Sequence, residues 1–246
     1  MRIRVRFTKQ GKVRFTSHRD VARLWERALR RGTLPVASTE GFSPRPKMHF
    51  GLALSTGHES LGEYLDIDLR EPEGDDVDLE ALPGLLSPLL PPGLEVERVA
   101  VIDRSALSLQ EAVVACDWRL EVVGADPAAV VDAVDALLAA EALPVTRERK
   151  GKQVSDDIRP AILALRVAAD GWLEAELATQ PRGVRPAELV ATLSTFLAQP
   201  GGGDTGEVLE EGRVCRTHQW IVLDGARQEP LLPDATWAPH AEARAS

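Results

Sequence analysis

Met1-Arg2-Ile3-Arg4-Val5-Arg6-Phe7-Thr8-Lys9 opens the chain with apolar and basic residues in alternation. Ile3, Val5 and Phe7 fall on one side and Arg2, Arg4 and Arg6 on the other, the period-two signature of a strand with one buried face. Lys9-Gln10-Gly11-Lys12 reads as a turn, and Val13-Arg14-Phe15 as an extension of the sheet. Ser17 opens a helix that Gly32 closes, with Asp20 three residues on in a variant of the capping box. Val21, Leu24, Trp25, Ala28 and Leu29 form the apolar stripe of that helix. Arg19, Arg23, Arg27 and Arg30 recur at i, i+4, i+8 and i+11 on another face. Residues 34–39 are short and extended, and residues 48–54 and 63–69 read as strands. The second of these sets Leu65, Ile67 and Leu69 against Tyr64, Asp66 and Asp68. A helix interrupted by Pro83 and Pro88 spans residues 77–90, and a further strand covers residues 94–101.

This order is β-α-β-β-α-β within about 100 residues, the ferredoxin-like arrangement. The charges supply a check on it. There the first strand lies between the third and the fourth, so Arg2, Arg4 and Arg6 should meet Asp66 and Asp68 on one side and Glu95 and Glu97 on the other. The expected result is an exposed, self-neutralised sheet face, each pair contributing a few tenths to ~1 kcal/mol.

Residues 103–111 read as a link to a second unit. Trp118, Leu120 and Val122 alternate with Asp117, Arg119 and Glu121 in a strand over residues 116–123. Asp126 caps a helix with Pro127 at its first position. A basic strand follows at 144–152, then an irregular stretch at Asp156-Asp157-Ile158-Arg159-Pro160. Residues 162–167 and 172–178 form a hairpin around Asp170-Gly171. A helix at 186–197, a flexible loop at 201–206 and a strand at 214–223 complete the series. The fold class is therefore α+β, with two tandem ferredoxin-like (βαββαβ) subdomains built on antiparallel sheets. They occupy residues 1–104 and 112–223. Residues 224–246, carrying Pro230, Pro233 and Pro239, read as a flexible tail.

The 246 residues are 44% hydrophobic and 27% charged, ordinary for a globular protein able to bury a core. No apolar run approaches the ~20 residues of a membrane span, and Met1-Arg2-Ile3-Arg4-Val5-Arg6 lacks the apolar core of a signal peptide. Cys116 and Cys215 form no C-x-x-C pair and read as reduced thiols, so the expected location is the cytoplasm. The net charge of −9 hides a split: residues 1–50 carry 13 Lys/Arg against Asp20, Glu26 and Glu40, and the remainder is strongly acidic. Such a split suggests a polyanion-facing end, or halves that attract each other. The low overall pI argues against tight nonspecific nucleic-acid binding by the whole chain.

The helix face of Arg19, Arg23, Arg27 and Arg30 is the first candidate site, because guanidinium groups match phosphate geometry. The alternative is a solvated face. Gly41-Phe42-Ser43-Pro44-Arg45-Pro46-Lys47 is the second. Its prolines stiffen a loop whose Arg45 and Lys47 could clamp an anion, unless Phe42 plugs the core of a structural connection. The strand arginines are weaker candidates, and the sheet shows no exposed aromatic platform of the RNA-recognition type. His18 beside Asp20, and His58 beside Glu59, are candidate acid–base pairs. His18, His49, His58 and His218 lack ligand-pair spacing, so neither a metal nor a cofactor is expected. Arg147, Arg149, Lys150 and Lys152 form a second basic segment, read as a polyanion contact or a solvated tip.

Arg14-Phe15-Thr16-Ser17-His18-Arg19-Asp20, Arg27-Ala28-Leu29-Arg30-Arg31, Leu34-Pro35, Gly41-Phe42-Ser43-Pro44-Arg45-Pro46 and Leu54-Ser55-Thr56-Gly57-His58-Glu59-Ser60 with Glu63 resemble the radical SAM-linked protein family. The resemblance weakens toward Lys152 and Asp157-Ile158-Arg159-Pro160. That bacterial domain occurs beside, or fused after, cobalamin-binding radical S-adenosylmethionine proteins, often near RNA-processing and ribosomal-protein genes. The resemblance implies a radical SAM protein as partner and work on RNA, and it transfers no catalytic residue. The chain has no C-x-x-x-C-x-x-C, so any radical chemistry would be the partner's. Tandem ferredoxin-like units also resemble CRISPR repeat endoribonucleases and some pseudouridine synthases, a likeness of fold alone. The expected function is a non-catalytic RNA-binding or substrate-presenting partner of a radical SAM enzyme in RNA processing or modification. The alternatives are an RNA-directed enzyme using the histidines, and a protein-interaction module docking an acidic partner.

Overall fold

The computed structural model describes residues 1–71, 73, 76–149, 151–197 and 208–231. It is an α+β fold with a mostly antiparallel sheet. Two compact units divide the chain: Met1–Val113 with the described residues from Gln219 onward, and Val114–His218. No helix among the described residues is long and apolar enough to cross a membrane.

The first unit contains β1 (Arg2–Lys9), α1 (His18–Arg31), β2 (Met48–Phe50), β3 (Glu59–Asp68), α2 (Leu82–Leu86), β4 (Val96–Ile102) and the short α3 (Leu109–Ala112). Its strand order is β4-β1-β3, with β2 paired to the end of β3 through Met48↔Ile67 and Phe50↔Leu65. Ile3, Val5 and Phe7 join Leu65, Ile67 and Leu69 beneath Val21, Trp25, Ala28 and Leu29 of α1. Phe7 and Trp25 meet edge to face at 4.9 Å, a favoured aromatic geometry. Ser17 caps α1 as the sequence suggests: its hydroxyl accepts from the Asp20 amide at 3.2 Å and donates to the Asp20 carboxylate at 2.8 Å.

Three expectations for this unit need correction. The helix expected over residues 77–90 is only α2, with a 3-10 turn at Ser87–Leu89, because Pro88 cannot continue the α-helical ladder. Residues 13–15 do not extend the sheet. Gly11, at φ 63°, turns the chain into a 3-10 turn over Gly11–Phe15, a left-handed conformation that glycine adopts without a Cβ penalty. The arginine face of β1 is also not exposed, because every residue of β1 after Arg2 is buried. The ladder is in the expected register, with Arg2 on Asp68 at 2.6 Å and Arg4 on Asp66 at 2.7 and 2.9 Å. Complete pairing is what permits such a face to close, since a buried charge without a partner costs several kcal/mol.

Arg6 departs furthest from a simple cross-strand pair. The β1–β4 register slips so that Arg6 opposes Arg98 and Phe7 opposes Val96, which makes Glu97 the extra residue of a bulge. Glu97, rather than Glu95, thereby reaches Arg6 at 2.6 Å. Arg6 also donates to the Tyr64 hydroxyl at 2.5 Å and to Glu229 at 2.8 Å. Burial works against the guanidinium's charge, but Tyr64, Glu229 and Glu97 together raise its pKa above the ordinary arginine value. Burial pushes the Tyr64 phenol up, and it lifts Glu97 above the usual carboxylate range despite the neighbouring Arg6. Gly62 leaves the room required: a Cβ there would stand 3.1 Å from the guanidinium nitrogens.

The second unit contains most of β5 (Val113–Val123), then α4 (Pro127–Ala139), β6 (Pro144–Arg149), β7 (Lys152–Asp157), β8 (Ile162–Val167), β9 (Leu173–Ala178) and α5 (Pro186–Leu197). β10 (Glu210–Leu223) belongs to this unit through His218 and to the first from Gln219. The order here is β10-β5-β9-β8, while β6 and β7 pair separately as a hairpin. The single basic strand expected at 144–152 is thus two strands around Gly151, at φ 73°. The stretch after it is a clamp. Asp157 accepts from the amides of Leu143 (2.7 Å) and Arg159 (2.9 Å), Ile158 is fully buried, and Arg159 donates to the Leu138 carbonyl at the end of α4 (3.1 Å).

The flexible loop expected at 201–206 lies outside the described residues. The tail expected from residue 224 begins in ordered structure: β11 (Ala226–Gln228) pairs with Ile221–Leu223 of β10, and Glu229 is buried on Arg6. Residues 232–246 lie outside the described residues.

Replacing Arg6 by Met should lower the stability of the chain by about 3–5 kcal/mol, because Glu97 and Glu229 would remain buried without their counter-ion. Gly62→Ala should also destabilise it, by crowding the guanidinium. Urea denaturation followed by circular dichroism checks both. Acid should weaken the fold through Asp68. Burial raises its pKa, but the Arg2 hydrogen bond and charge overcome that and hold it below the usual range. Its contribution is complete above about pH 4 and is lost as pH falls through the lower folded-state value. Glu97, shifted upward, acts with the opposite sign. The fall in urea midpoint below about pH 4 should be shallower in Asp68→Asn.

Candidate functional site

At about 100° per residue, Arg19, Arg23, Arg27 and Arg30 lie close together on the side of α1 opposite Val21, Trp25, Ala28 and Leu29. All four are exposed, as is Arg31. Among the described residues only Arg23 of this stripe forms an ion pair, with Asp20 at 3.2 Å on the surface, where such a pair is worth little. Packing explains the arrangement. The apolar stripe commits one side of the helix to the core, so arginines at helical spacing must face outward. The stripe runs about 17 Å along the axis, over most of the helix.

The loop at 41–47 is built on a short ladder. The Thr39 amide donates to the Arg45 carbonyl and the Lys47 amide to the Ala37 carbonyl, both at 2.8 Å. The Arg45 amide donates to the Thr39 hydroxyl at 3.1 Å. Phe42 does not plug the core: it stands fully exposed at the tip, with Arg45 exposed and Lys47 half-buried. The loop is rooted beside Asp68, whose carbonyl accepts from Ala37 and whose amide donates to the Lys47 carbonyl.

These contacts place the sequence candidates at two ends of the unit. Leu69 bonds to Met1 and Arg70 to Pro35, so the last turn of α1, with Arg27 and Arg30, shares an end with the root of the 41–47 loop. His18 and Asp20 begin the helix at the opposite end. There the Lys9 ammonium donates to the Arg14 and Thr16 carbonyls at 3.1 and 3.2 Å, and the Gly57 amide donates to Arg14. His58 and Glu59 belong to this same end. The histidine pairs are therefore set apart from Arg45 and Lys47 by the length of the helix.

Each carboxylate of the acid–base pairs has a local structural partner. Asp20 caps α1, and the Ser17 hydroxyl, with Arg23 and Arg19, holds it below its usual pKa. Glu59 is buried and accepts from the Gly11 amide at 2.8 Å and from Arg14 at 3.4 Å, tying the 3-10 turn to β3. His18 stacks edge to face on Phe50 at 5.1 Å. It borders, with Lys9, Glu63 and Tyr64, a cavity of about 20 Å³, room for a water rather than a substrate. His49 lies near Asp68 at 3.6 Å.

The second unit offers a larger concavity that sequence reasoning did not single out. A groove of about 400 Å³ crosses β5, β8, β9 and β10. The register sets Asp117, Glu176 and Ala164 in one row and Arg119, Glu174 and Arg166 in the next. Its charges largely answer one another: Arg119 pairs with Asp170 and Glu174, Arg166 with Glu174, and His218 approaches Asp117 at 3.5 Å. Only the cross-strand register brings these residues together, so no local motif announces them. In the basic hairpin, Arg147 is likewise paired, with Asp156 at 3.0 Å, which Arg182 shares at 2.8 Å. The side chains of Arg149, Lys150 and Lys152 lie outside the described residues. No group of three or more His, Cys, Asp or Glu suited to a metal ion occurs among the described residues.

Residues 2–186 match the family described as an uncharacterized protein conserved in bacteria, DUF2344, and the chain belongs to that family. No curated protein matches the chain.

Glu59→Ala should cost about 1–3 kcal/mol, by removing the buried carboxylate that accepts from the Gly11 amide and from Arg14. Asp20→Ala should cost about 1 kcal/mol or less, as a cap. Thermal unfolding of the two variants checks this ranking.

Proposed function

We propose that the first unit binds RNA along α1 and presents it to a separate enzyme, with no chemistry assigned to this chain's own histidines. One observation carries the reading: the arginines of this unit are sorted. Arg2, Arg4 and Arg6 are consumed by Asp68, Asp66 and Glu97 within the sheet. Arg19, Arg27, Arg30, Arg31 and Arg45 stand exposed without an ion pair to any described residue. Successive arginines on the stripe rise by about 6 Å along the axis, comparable to the step between phosphates of an extended strand. Guanidinium groups suit phosphate oxygens, and a line of cations tracks a polyanion better than it fits a compact anion. The resemblance to the radical SAM-linked family supplies the class of enzyme that the RNA would be presented to.

The enzymatic alternative has less support, because Asp20 and Glu59 are engaged in capping and in the 3-10 turn. The reading of each unit as ferredoxin-like belongs to the same proposal. The orders β4-β1-β3-β2 and β10-β5-β9-β8 each follow the fourth-first-third-second pattern of a βαββαβ unit, with the β6–β7 hairpin as an insertion in the second.

The test is binding of fluorescein-labelled RNA by anisotropy over a range of salt. Binding should weaken steeply with salt, and changing Arg19, Arg23, Arg27 and Arg30 together to Gln should abolish most of it. The slope of log K against log salt should shrink by about 0.7 for each single-strand phosphate contact removed. Equal binding by wild type and the quadruple variant would remove the stripe from the interface. Co-purification of a radical SAM protein with the chain from cells tests the partner.

A further inference from the structure

Phe15 and Phe42 are the two phenylalanines that the fold leaves outside, at 61% and 111% relative exposure. Phe15 ends the 3-10 turn just before α1, and the Arg14 guanidinium lies over its ring at 4.6 Å from the centroid. Phe42 tips the loop whose root lies at the other end of the helix, three residues from the exposed Arg45. Both rings belong to the first unit: Phe15 precedes the first turn of α1, and the root of the Phe42 loop shares the end of the unit where α1 finishes. Neither ring contributes to the core under α1. Both sit on short-range backbone supports: Gly11 and the Thr16–Val13 hydrogen bond at one end, the 37–47 ladder with Pro44 and Pro46 at the other.

We infer that the RNA held by this unit is single-stranded, with unpaired bases stacking on Phe15 and Phe42 while the arginines of α1 hold the backbone. This rests on the RNA reading above and specifies its substrate. Aromatic rings flanking a cationic track are the features of single-strand sites, because every base has a π-face and stacking tolerates sequence. A duplex keeps its bases stacked on each other and offers these rings nothing to cover. Pre-formed loops lose little conformational entropy on binding. A helix of about 20 Å is long enough for a strand of roughly four or more nucleotides, within the range of known single-strand sites. The rings lie off the sheet, so this platform differs from one built on strand aromatics.

The experiment compares a labelled 12-nucleotide single-stranded RNA with a 12-base-pair duplex of the same sequence, using the full chain. Wild type should bind the single strand at least about tenfold more tightly. Phe15→Ala and Phe42→Ala should each weaken it by about fivefold or more, with an unchanged salt slope, since stacking releases no counter-ions. Phe42→Tyr should restore binding, and Phe42→Trp should show fluorescence quenching on addition of the single strand but not of the duplex. Equal affinity for duplex and single strand, or full binding by both alanine variants, overturns this inference while leaving the arginine-dependent reading intact. Absence of any RNA binding removes both. A Phe42→Ala variant that loses a co-purifying protein yet binds single strands normally assigns the ring to protein docking and also overturns it.

Discussion

A single guanidinium, Arg6, holds the first unit to its particular register. It is 3% exposed and satisfies Glu97 from the bulge of β4, the Tyr64 hydroxyl of β3 and Glu229 beyond β11. Segments 91 and 223 residues away in the chain thus converge on one side chain. A slip of one residue in β1 would turn Arg6 into the apolar layer and Phe7 out of it, stranding two carboxylates. The cluster therefore acts on specificity as well as stability. It also explains Gly62, whose missing Cβ is the space the guanidinium occupies. The Gln219 side-chain Nε2, on the segment of β10 that belongs to this unit, donates to the Gly62 carbonyl at 2.7 Å.

That closure has a consequence for function. A buried, paired arginine cannot recruit a polyanion, so the arginines of β1 are removed from the surface that a ligand meets. The basic excess of residues 1–50 that stays exposed then resides on α1 and on the loop after it, where among the described residues Arg23 alone forms an ion pair, with Asp20. The same chain thus uses arginine in two ways: inside, as a partner that lets a polar sheet face be buried; outside, as a row set by helical periodicity. The proposed interface is what remains once the structural arginines are subtracted.

Much of the fold could be read from periodicity and caps. The alternation in β1, the Ser17–Asp20 cap, the apolar stripe of α1 and the Asp126-Pro127 start of α4 are local, and local physics decides them. The Arg2–Asp68 and Arg4–Asp66 pairs were also accessible, because the strand order fixes who opposes whom. The errors have a common cause. Of the two glutamates expected beside the β1 arginines, Glu97 alone pairs with Arg6, because a bulge shifts the register, and bulges depend on packing across strands. The 3-10 turn replaced a strand extension because Glu59, 48 residues on, accepts from the Gly11 amide. The 144–157 hairpin and the order in residues 226–229 likewise depend on partners distant in sequence.

By itself the sequence determined the α+β class, the bounds of α1 and α5, and the existence of an arginine row on α1. Each follows from residue preferences that act over a few positions. Only the tertiary structure decided which arginines are free, that Glu59 and Asp20 serve the fold, and that Phe15 and Phe42 face solvent. Burial and pairing are properties of side chains brought together from distant parts of the chain, and spacing along the chain cannot specify them.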